Sequence, residues 1–187
     1  MHESIKRAGI IVGIVFALVA AFFAVSAVSP SSAKAQSGTP HWILELKDGV
    51  VDIELLPGKA PKHVERIVEL TDAGFYNGIV FHRVIEGFMA QSGDPTGTGT
   101  GGSDKPDVVA EFNDTSFGRG AVGAARTNDP NTFNSQFFIC FQDCTFLNGQ
   151  YTVFGQVVSG MEAVDKITRG EPPANPDKII SAKIEYK

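Results

Sequence analysis

Residues 81–94 hold the polar side chains best suited to act on a bound ligand, in the order His82, Arg83 and Gln91. A guanidinium stays protonated at ordinary pH and presents a rigid fork of donors, so Arg83 could donate hydrogen bonds to a ligand. Taken alone, such an arginine is more often an ion-paired surface residue. Neighbouring side chains of a strand point to opposite faces, so we expect His82 to point away from Arg83 and to serve the structure.

The sequence predicts neither a metal site nor a bound cofactor. The glycine run Gly97–Gly102 lacks the ending of a phosphate-binding loop and opens no helix, so we interpret it as a tight loop. Cys140 and Cys144 fit no zinc or haem spacing, and His41 and His63 have no ligand-like neighbours. A hydrolase is disfavoured because no Ser-His-Asp or paired-carboxylate arrangement is evident.

The two cysteines, Cys140 and Cys144, are expected to be free thiols with a place in the fold. Both fall near a predicted strand end. Four extended residues span roughly 13 Å, whereas a disulfide requires Cα atoms less than about 7 Å apart. An intervening turn would bring the two thiols together, so a disulfide remains the alternative.

Short β-like runs dominate the sequence from residue 41 onward. Ile43–Lys47 and Val50–Leu55 flank an Asp-Gly pair, which is a strong signal for a hairpin with a tight turn. The later runs are Phe81–Val84, Phe137–Phe141, Thr152–Val157 and a last strand at Ile179–Tyr186.

Two helices interrupt these strands. Pro61 suits the first turn of a helix that ends before Gly74, and Val64 and Ile67 recur on one of its faces. A second helix is predicted over Met161–Thr168. Two helices among many short strands predict a mainly β fold, a barrel or sandwich with helical caps.

Residues 1–35 are interpreted as a targeting segment that precedes the domain. Lys6 and Arg7 stand before an uncharged apolar run at Ile10–Val28, and small residues follow as far as Ala35. This order is typical of a secretory signal, with cleavage after Ala35. The alternative is a retained membrane anchor, because an apolar run of about 19 residues is just able to span a bilayer. In either case we expect the domain to be exported, into the periplasm if the cell is Gram-negative.

Beyond this segment, residues 36–40 are predicted to be a polar linker and residues 41–187 a single acidic domain. The formal charge is −5 overall, and the first 35 residues contribute +2, so −7 remains for the rest. An acidic domain is a poor candidate for binding nucleic acid or anionic membrane surfaces. No dedicated oligomer interface is evident, so we expect a monomer.

Four sequence blocks follow one another in a fixed order. They are Phe81–Asp94, Gly99–Gly102, Ser135–Ile139, and Phe146–Gly149 leading into Val153–Gly155. Together they resemble the cyclophilins, which are peptidyl-prolyl cis–trans isomerases, and the resemblance runs from about His41 to the C-terminus. It implies a closed eight-stranded antiparallel β-barrel capped by two α-helices, with a proline pocket on one face.

The resemblance also implies roles for individual residues. Arg83 and Gln91 stand at the catalytic positions, with Gln91 placed to hold the fork of the arginine. The implied substrate-binding residues are Phe88, Met89, Ala125, Thr127, Gln136, Phe138, Phe146, Leu147 and Tyr151.

Three positions depart from the commonest animal pattern. Phe146 stands where tryptophan is often found, Tyr151 where histidine is often found, and Ala124 where methionine is usual. The changes at Phe146 and Tyr151 resemble bacterial members of the family. They put cyclosporin binding in doubt more than catalysis, because a phenyl ring can still close an apolar pocket, so we expect at most weak cyclosporin binding.

The implied reaction is rotation about the peptide bond that precedes proline. Its barrier is about 18–20 kcal/mol, and no bond need break, so neither a nucleophile nor a metal is required. Apolar walls can hold the proline ring while Arg83 donates to the prolyl nitrogen as that nitrogen loses its resonance. We therefore predict an isomerase that assists the folding of exported, proline-containing polypeptides. The alternative is a proline-peptide binding module or chaperone that uses the same pocket with little turnover.

Overall fold

The structure is a computed structural model and describes residues 38–187. The predicted signal or anchor and the first two linker residues lie outside the described range. The eight strands are β1 (Pro40–Leu46), β2 (Gly49–Leu55), β3 (Arg83–Ile85), β4 (Met89–Ser92), β5 (Ala121–Ala124), β6 (Phe137–Cys140), β7 (Val153–Ser159) and β8 (Ser181–Tyr186). They form one antiparallel sheet in the order β3-β4-β6-β5-β7-β2-β1-β8. The expected mainly β fold with eight antiparallel strands is confirmed.

The sheet curls into a half-barrel and does not close through its edge strands, which corrects the expected closed barrel. Within residues 38–187, β3 and β8 share no ladder. The segments that precede these two strands are joined instead. Gly78 N–H donates to the carbonyl of Ile179 (2.7 Å), and Phe81 N–H donates to the carbonyl of Asp177 (2.8 Å). Because these segments approach the seam irregularly, they supply isolated bonds where a closed barrel would have a continuous ladder.

The predicted hairpin joins β1 to β2. Leu46 pairs with Gly49, so the turn consists of Lys47 and Asp48, one residue earlier than the predicted Asp48-Gly49 turn, and Gly49 begins β2. At the other end of β1, Thr39 and Lys187 exchange backbone hydrogen bonds of 2.9 and 3.1 Å. The ordered sheet therefore begins inside the range predicted as a linker.

Helix α1 (Pro61–Asp72) begins at the predicted proline and buries Val64 and Ile67 against the sheet. Its end is closed by two backbone bonds, from Gly74 N–H to the carbonyl of Thr71 and from Phe75 N–H to the carbonyl of Leu70. This pairing is the glycine-terminated motif expected at Gly74.

Helix α2 (Met161–Val164) is shorter than the predicted span of Met161–Thr168. Both the backbone N–H and the hydroxyl of Thr168 donate to the Asp177 carboxylate, at 2.8 and 2.9 Å. Thr168 is therefore withdrawn from helical bonding by a residue nine positions later. Within the described residues, no helix has the length and apolarity needed to cross a membrane.

Strand alternation sorts the buried side chains into two hydrophobic clusters. In β6, Phe137 and Ile139 point into the main core, where Phe137 packs edge-on against Trp42 with ring centroids 4.7 Å apart. Phe138 and Cys140 point to the opposite face and join a second, smaller cluster. This second cluster carries the candidate site.

Candidate active site

One row of paired residues crosses the sheet beneath the site. Arg83 on β3 pairs with Gln91 on β4, Gln91 pairs with Phe138 on β6, and Phe138 pairs with Gly123 on β5. A Cβ at Gly123 would stand 2.4 Å from the Phe138 ring and 2.6 Å from Phe117. Only glycine therefore lets the Phe138 ring lie flat over β5, where it stacks on Phe117 with centroids 5.6 Å apart.

The Phe138 ring forms the floor of a pocket of about 260 Å³. Its apolar walls come from Phe88, Met89, Ala125, Phe138 and Leu147, and Arg83, Gln91 and Arg126 add polar side chains. The lining residues are Arg83, Phe88, Met89, Gln91, Ala125, Arg126, Phe138, Leu147 and Tyr151. Eight of the eleven sequence-predicted site residues thus meet in one pocket.

Phe146 is the predicted residue that stands apart. It lies on a single 3₁₀ turn, Thr145–Leu147, and its side chain is 62% exposed. Its ring centroid is 5.4 Å from that of Phe88. Phe146 therefore extends the rim through Phe88, whereas Leu147 of the same turn lines the pocket.

The other two predicted residues, Thr127 and Gln136, line a neighbouring depression of about 580 Å³. This depression shares Gln91, Ala125 and Arg126 with the apolar pocket. The two spaces are therefore continuous around Gln91, as a groove for an extended peptide would be.

Arg126 was missed by the sequence-based prediction. Its guanidinium lies 4.2 Å above the Tyr151 ring and donates to the carbonyls of Thr127 (2.9 Å) and Gln150 (2.8 Å). It thereby holds Tyr151 in the pocket wall. The sequence carries no signal for this role, because residues 126 and 151 meet only in the folded chain.

The side-chain amide of Gln91 donates to Gln136 Oε1 at 2.9 Å. Gln136 Nε2 in turn donates to the carbonyls of Gly99 (3.1 Å) and Gly101 (2.9 Å). This differs from the expected contact, in which Gln91 would hold the Arg83 fork. The charged neighbour of Arg83 is Glu171, whose Oε2 lies 3.6 Å from Nε.

The loop that receives Gln136 is organised by Asp94. Its buried carboxylate accepts hydrogen bonds from the backbone N–H groups of Thr96 (2.7 Å), Gly99 (2.6 Å) and Gly101 (3.0 Å) and from the Thr96 hydroxyl (2.8 Å). Burial by itself would raise the pKa of Asp94, but these donors outweigh it and lower the pKa to about 2. Asp94 therefore stays ionised and fixes the loop.

His82 is buried beside this loop. Burial, assisted by the Arg83 charge, lowers the pKa of His82 even though the Asp94 carboxylate opposes the shift. The ring is therefore neutral at physiological pH. Within residues 38–187, no group of three or more His, Cys, Asp or Glu side chains is arranged to hold a metal ion.

Cys140 and Cys144 are buried free thiols, as expected. Both belong to the hydrophobic cluster beneath the pocket, and Cys144 Sγ lies 3.5 Å from the carbonyl oxygen of Phe88. Burial raises the pKa of each thiol. They act as small apolar side chains that support the pocket wall.

The family model described as "Cyclophilin type peptidyl-prolyl cis-trans isomerase/CLD" matches residues 41–184. The chain belongs to the cyclophilin family. It is an enzyme of the peptidyl-prolyl cis–trans isomerase class, and the activity predicted from the sequence is confirmed at that level.

Curated relatives of this cyclophilin are named as peptidyl-prolyl cis-trans isomerases. A probable peptidyl-prolyl cis-trans isomerase of Brucella suis is 53% identical over 182 residues, covering 89% of this chain and 93% of the relative. A peptidyl-prolyl cis-trans isomerase of Helicobacter pylori is 40% identical over 136 residues, covering 71% and 83%.

Solved cyclophilin structures share the fold. A cyclophilin from Hirschia baltica matches with a TM-score of 0.70 and 32% identity, covering 76% of this chain and 72% of that one. A Cryptosporidium parvum enzyme, determined in the presence of the dipeptide Ala-Pro, matches with a TM-score of 0.73 and 29% identity, covering 79% and 99%.

Proposed function

We propose that this cyclophilin accelerates X-Pro rotation in exported polypeptides, with Arg83 as the catalytic donor. The observation that carries the proposal is that Arg83 lines the same pocket as a group of apolar side chains. Phe88, Met89, Phe138 and Leu147 hold the proline ring while the preceding carbonyl turns. An enzyme gains rate only by binding the twisted state better than either planar state.

Arg83 supplies that preference for the twisted state. As the bond twists, the prolyl nitrogen loses its resonance and gains a lone pair that a guanidinium N–H can bind. The arginine stays charged at every working pH, and the protein holds it in place before the substrate twists. Such preorganised donors account for much of enzymatic rate enhancement. Gln91 and Gln136 act on the groove beside the proline, where a peptide backbone passes.

The turnover experiment separates this proposal from the alternative of a binding module. The cis-to-trans rate of an Ala-Pro-Phe peptide is measured with the full-length protein, and binding of the same peptide is measured alongside. We expect acceleration well above the uncatalysed rate, which has a time constant of tens to hundreds of seconds. Binding without acceleration would favour the binding-module role.

Export is proposed from the order of charges and apolar residues before Gln36. If the cell is Gram-negative, the enzyme acts in the periplasm on chains that fold there. A mass measurement on protein purified from the native envelope tests this. A chain that begins at Gln36 supports cleavage of a signal, and an intact chain in the membrane fraction supports a retained anchor. An intact chain in the cytosol contradicts export.

We propose that the partners are unfolded polypeptides or exposed loops that contain proline, and that the protein does not bind nucleic acid. We also propose that the enzyme is a monomer that binds cyclosporin weakly. Sedimentation at micromolar concentration tests the first property, since a second species of twice the mass would contradict it.

A further inference from the structure

A third depression, with a volume of about 290 Å³, adjoins the apolar pocket at Arg83. It shares Arg83 and Gln91 with that pocket and Gly99 with the larger depression. Arg83 therefore lines both spaces. The lining residues of the third depression are His82, Arg83, Gln91, Gly97, Thr98, Gly99, Glu171 and Pro172.

Backbone pairing places Glu171 beside Arg83. Gly170 and Val84 exchange backbone hydrogen bonds of 2.8 and 2.9 Å in an antiparallel bridge. In such a bridge the residue after one partner lies opposite the residue before the other, so Glu171 faces Arg83. Gly170 has φ of +148°, and a Cβ there would stand 2.5 Å from Pro173 Cα, so the fold requires glycine. The position of Glu171 is thus built into the chain.

Arg83 and Glu171 are the only formally charged groups among the residues that line this depression, because His82 is neutral. Glu171 Oε2 approaches the Nε edge of the guanidinium at 3.6 Å, and within residues 38–187 no other carboxylate forms an ion pair with Arg83. Both side chains are about half exposed, at 42% and 50%. A charged group of a bound peptide can therefore reach either of them.

Without a neighbouring carboxylate, Arg83 would be free to pair with an acidic residue of the substrate. A guanidinium binds carboxylates through paired, charge-assisted hydrogen bonds, which are among the strongest polar contacts in proteins. An aspartate or glutamate next to the substrate proline would compete for the donors that the twisted prolyl nitrogen needs. A fixed negative charge at the edge of the arginine repels such a residue, and repulsion of this kind is a common source of specificity.

We propose that Glu171 determines which charged residues are accepted beside the proline. The depression between Gly97–Gly99 and Glu171 receives the side chain of a flanking substrate residue, favours lysine or arginine there, and repels aspartate or glutamate. This inference rests on the isomerase activity and adds a substrate class to it. Glu171 makes no contact with the rotating bond and acts through substrate charge.

The test compares the affinities of matched peptides that differ only in one flanking residue. Peptides carry lysine or glutamate either directly after the proline or two positions before it, and binding is followed by NMR titration of the full-length protein at low ionic strength. An exposed ion pair contributes about 0.2–1 kcal/mol, or about 1.4- to 5-fold in affinity. We expect the wild type to prefer the lysine peptide by about this factor at one of the two positions.

In Glu171→Gln that preference should disappear or reverse, because the side chain keeps its shape and loses its charge. Glu162→Gln on the exposed face of α2 is the matched control, with the same charge change outside the site, and should keep the wild-type preference. In about 1 M salt, where the Debye length is near 3 Å, the wild-type preference should fall toward unity. An equal preference in wild type and Glu171→Gln overturns the inference.

Turnover of an uncharged peptide is measured with the same samples to separate this result from a failure of the isomerase function. If the uncharged peptide is isomerised and the affinity ratio does not depend on Glu171, only the inference fails. If no peptide is isomerised, the proposed catalysis fails, and the affinity ratio still decides the role of Glu171.

Discussion

Arg83 and Gln91 are direct cross-strand neighbours in the β3–β4 ladder, yet no hydrogen bond joins their side chains in the described part of the chain. The glutamine binds Gln136, and the arginine is left with Glu171. The two groups therefore belong to separate polar systems. One of these systems reaches toward the glycine loop and the other toward the loop at residues 170–173.

Replacing Arg83 by alanine should lower kcat/KM by about 10²–10³, the size measured for loss of one preorganised donor to a transition state. Because the side chain is half-exposed and, among residues 38–187, forms an ion pair with Glu171 alone, stability should change by less than about 0.5 kcal/mol. The assay is the cis-to-trans rate of the Ala-Pro-Phe peptide. Arg83→Lys, which keeps the charge and loses the fork, should recover only part of the rate. An alanine variant within about threefold of wild type would exclude Arg83 as the donor.

Gln91 and Gln136 should behave as one unit in a double-mutant cycle. Each single change to alanine breaks the 2.9 Å bond between them, and a typical hydrogen bond contributes about 0.5–1.5 kcal/mol, or about 2- to 12-fold. The double variant should therefore lose less in kcat/KM than the product of the two single losses. The measurement is kcat/KM for the four proteins on one peptide. Simple multiplication of the two losses would show that the contact has no role in catalysis.

Asp94→Asn should lower the free energy of unfolding at neutral pH by about 2 kcal/mol, since an amide cannot accept every N–H that the carboxylate binds. The folded pKa of Asp94 is about 2, below its ordinary value of 3.8. A lowered folded pKa stabilises the native state above the unfolded pKa, and this contribution is lost as pH falls from about 4 to about 2.

Urea unfolding of wild type and Asp94→Asn across that pH range checks this expectation. The difference between the two proteins should shrink as the pH falls. Asp114→Asn, on an exposed carboxylate, serves as the control and should show a much smaller difference. A difference that does not vary with pH would contradict the assigned role of the Asp94 charge.

The two thiols should be unreactive in the folded protein. Burial raises the pKa of both Cys140 and Cys144, and only the thiolate attacks a disulfide reagent. Titration with an aromatic disulfide reagent at pH 8 should release almost no chromophore from native protein and two equivalents in denaturant. Rapid labelling of native protein would contradict the burial, and no labelling in denaturant would reveal a disulfide.

Phe146→Trp should strengthen cyclosporin binding by about tenfold. Phe146 is largely exposed at the pocket rim, where an indole adds apolar area and an N–H donor that phenylalanine lacks. Inhibition of peptide turnover by cyclosporin measures the change. Phe146→Leu, which enlarges neither area nor polarity, is the control. Equal inhibition of the tryptophan variant and wild type would show that Phe146 does not limit cyclosporin binding.

Local sequence signals predicted the elements that depend on few residues. Pro61 and Gly74 marked the helix between them, and the Asp-Gly pair marked the first hairpin. The early end of α2 at Val164 could not be predicted, because Thr168 of the predicted helix instead binds Asp177 in a later loop. The open seam of the sheet likewise depends on how residues 78–81 meet residues 177–179 in space.

For the candidate site too, some residues could be predicted from the sequence and others could not. The pocket walls were predicted from the resemblance that the ordered sequence blocks carry, and eight of the predicted residues line the pocket. Glu171 and Arg126 were not predicted, because a bridge between Val84 and Gly170 places the first and packing on Tyr151 places the second. Contacts between residues so far apart in the chain leave no periodic pattern in the sequence.

The backbone exchange between Thr39 and Lys187 brings the two ends of the sheet to one point. Domains whose ends meet in this way tolerate circular permutation. A short glycine-rich link from residue 187 to residue 38 would turn β8 and β1 into a new hairpin, and fresh ends opened between the exposed Lys47 and Asp48 would leave all eight strands uncut. A permuted enzyme could then be fused to other proteins at the turn of the β1–β2 hairpin, because residues 38 and 187 would be joined within the chain.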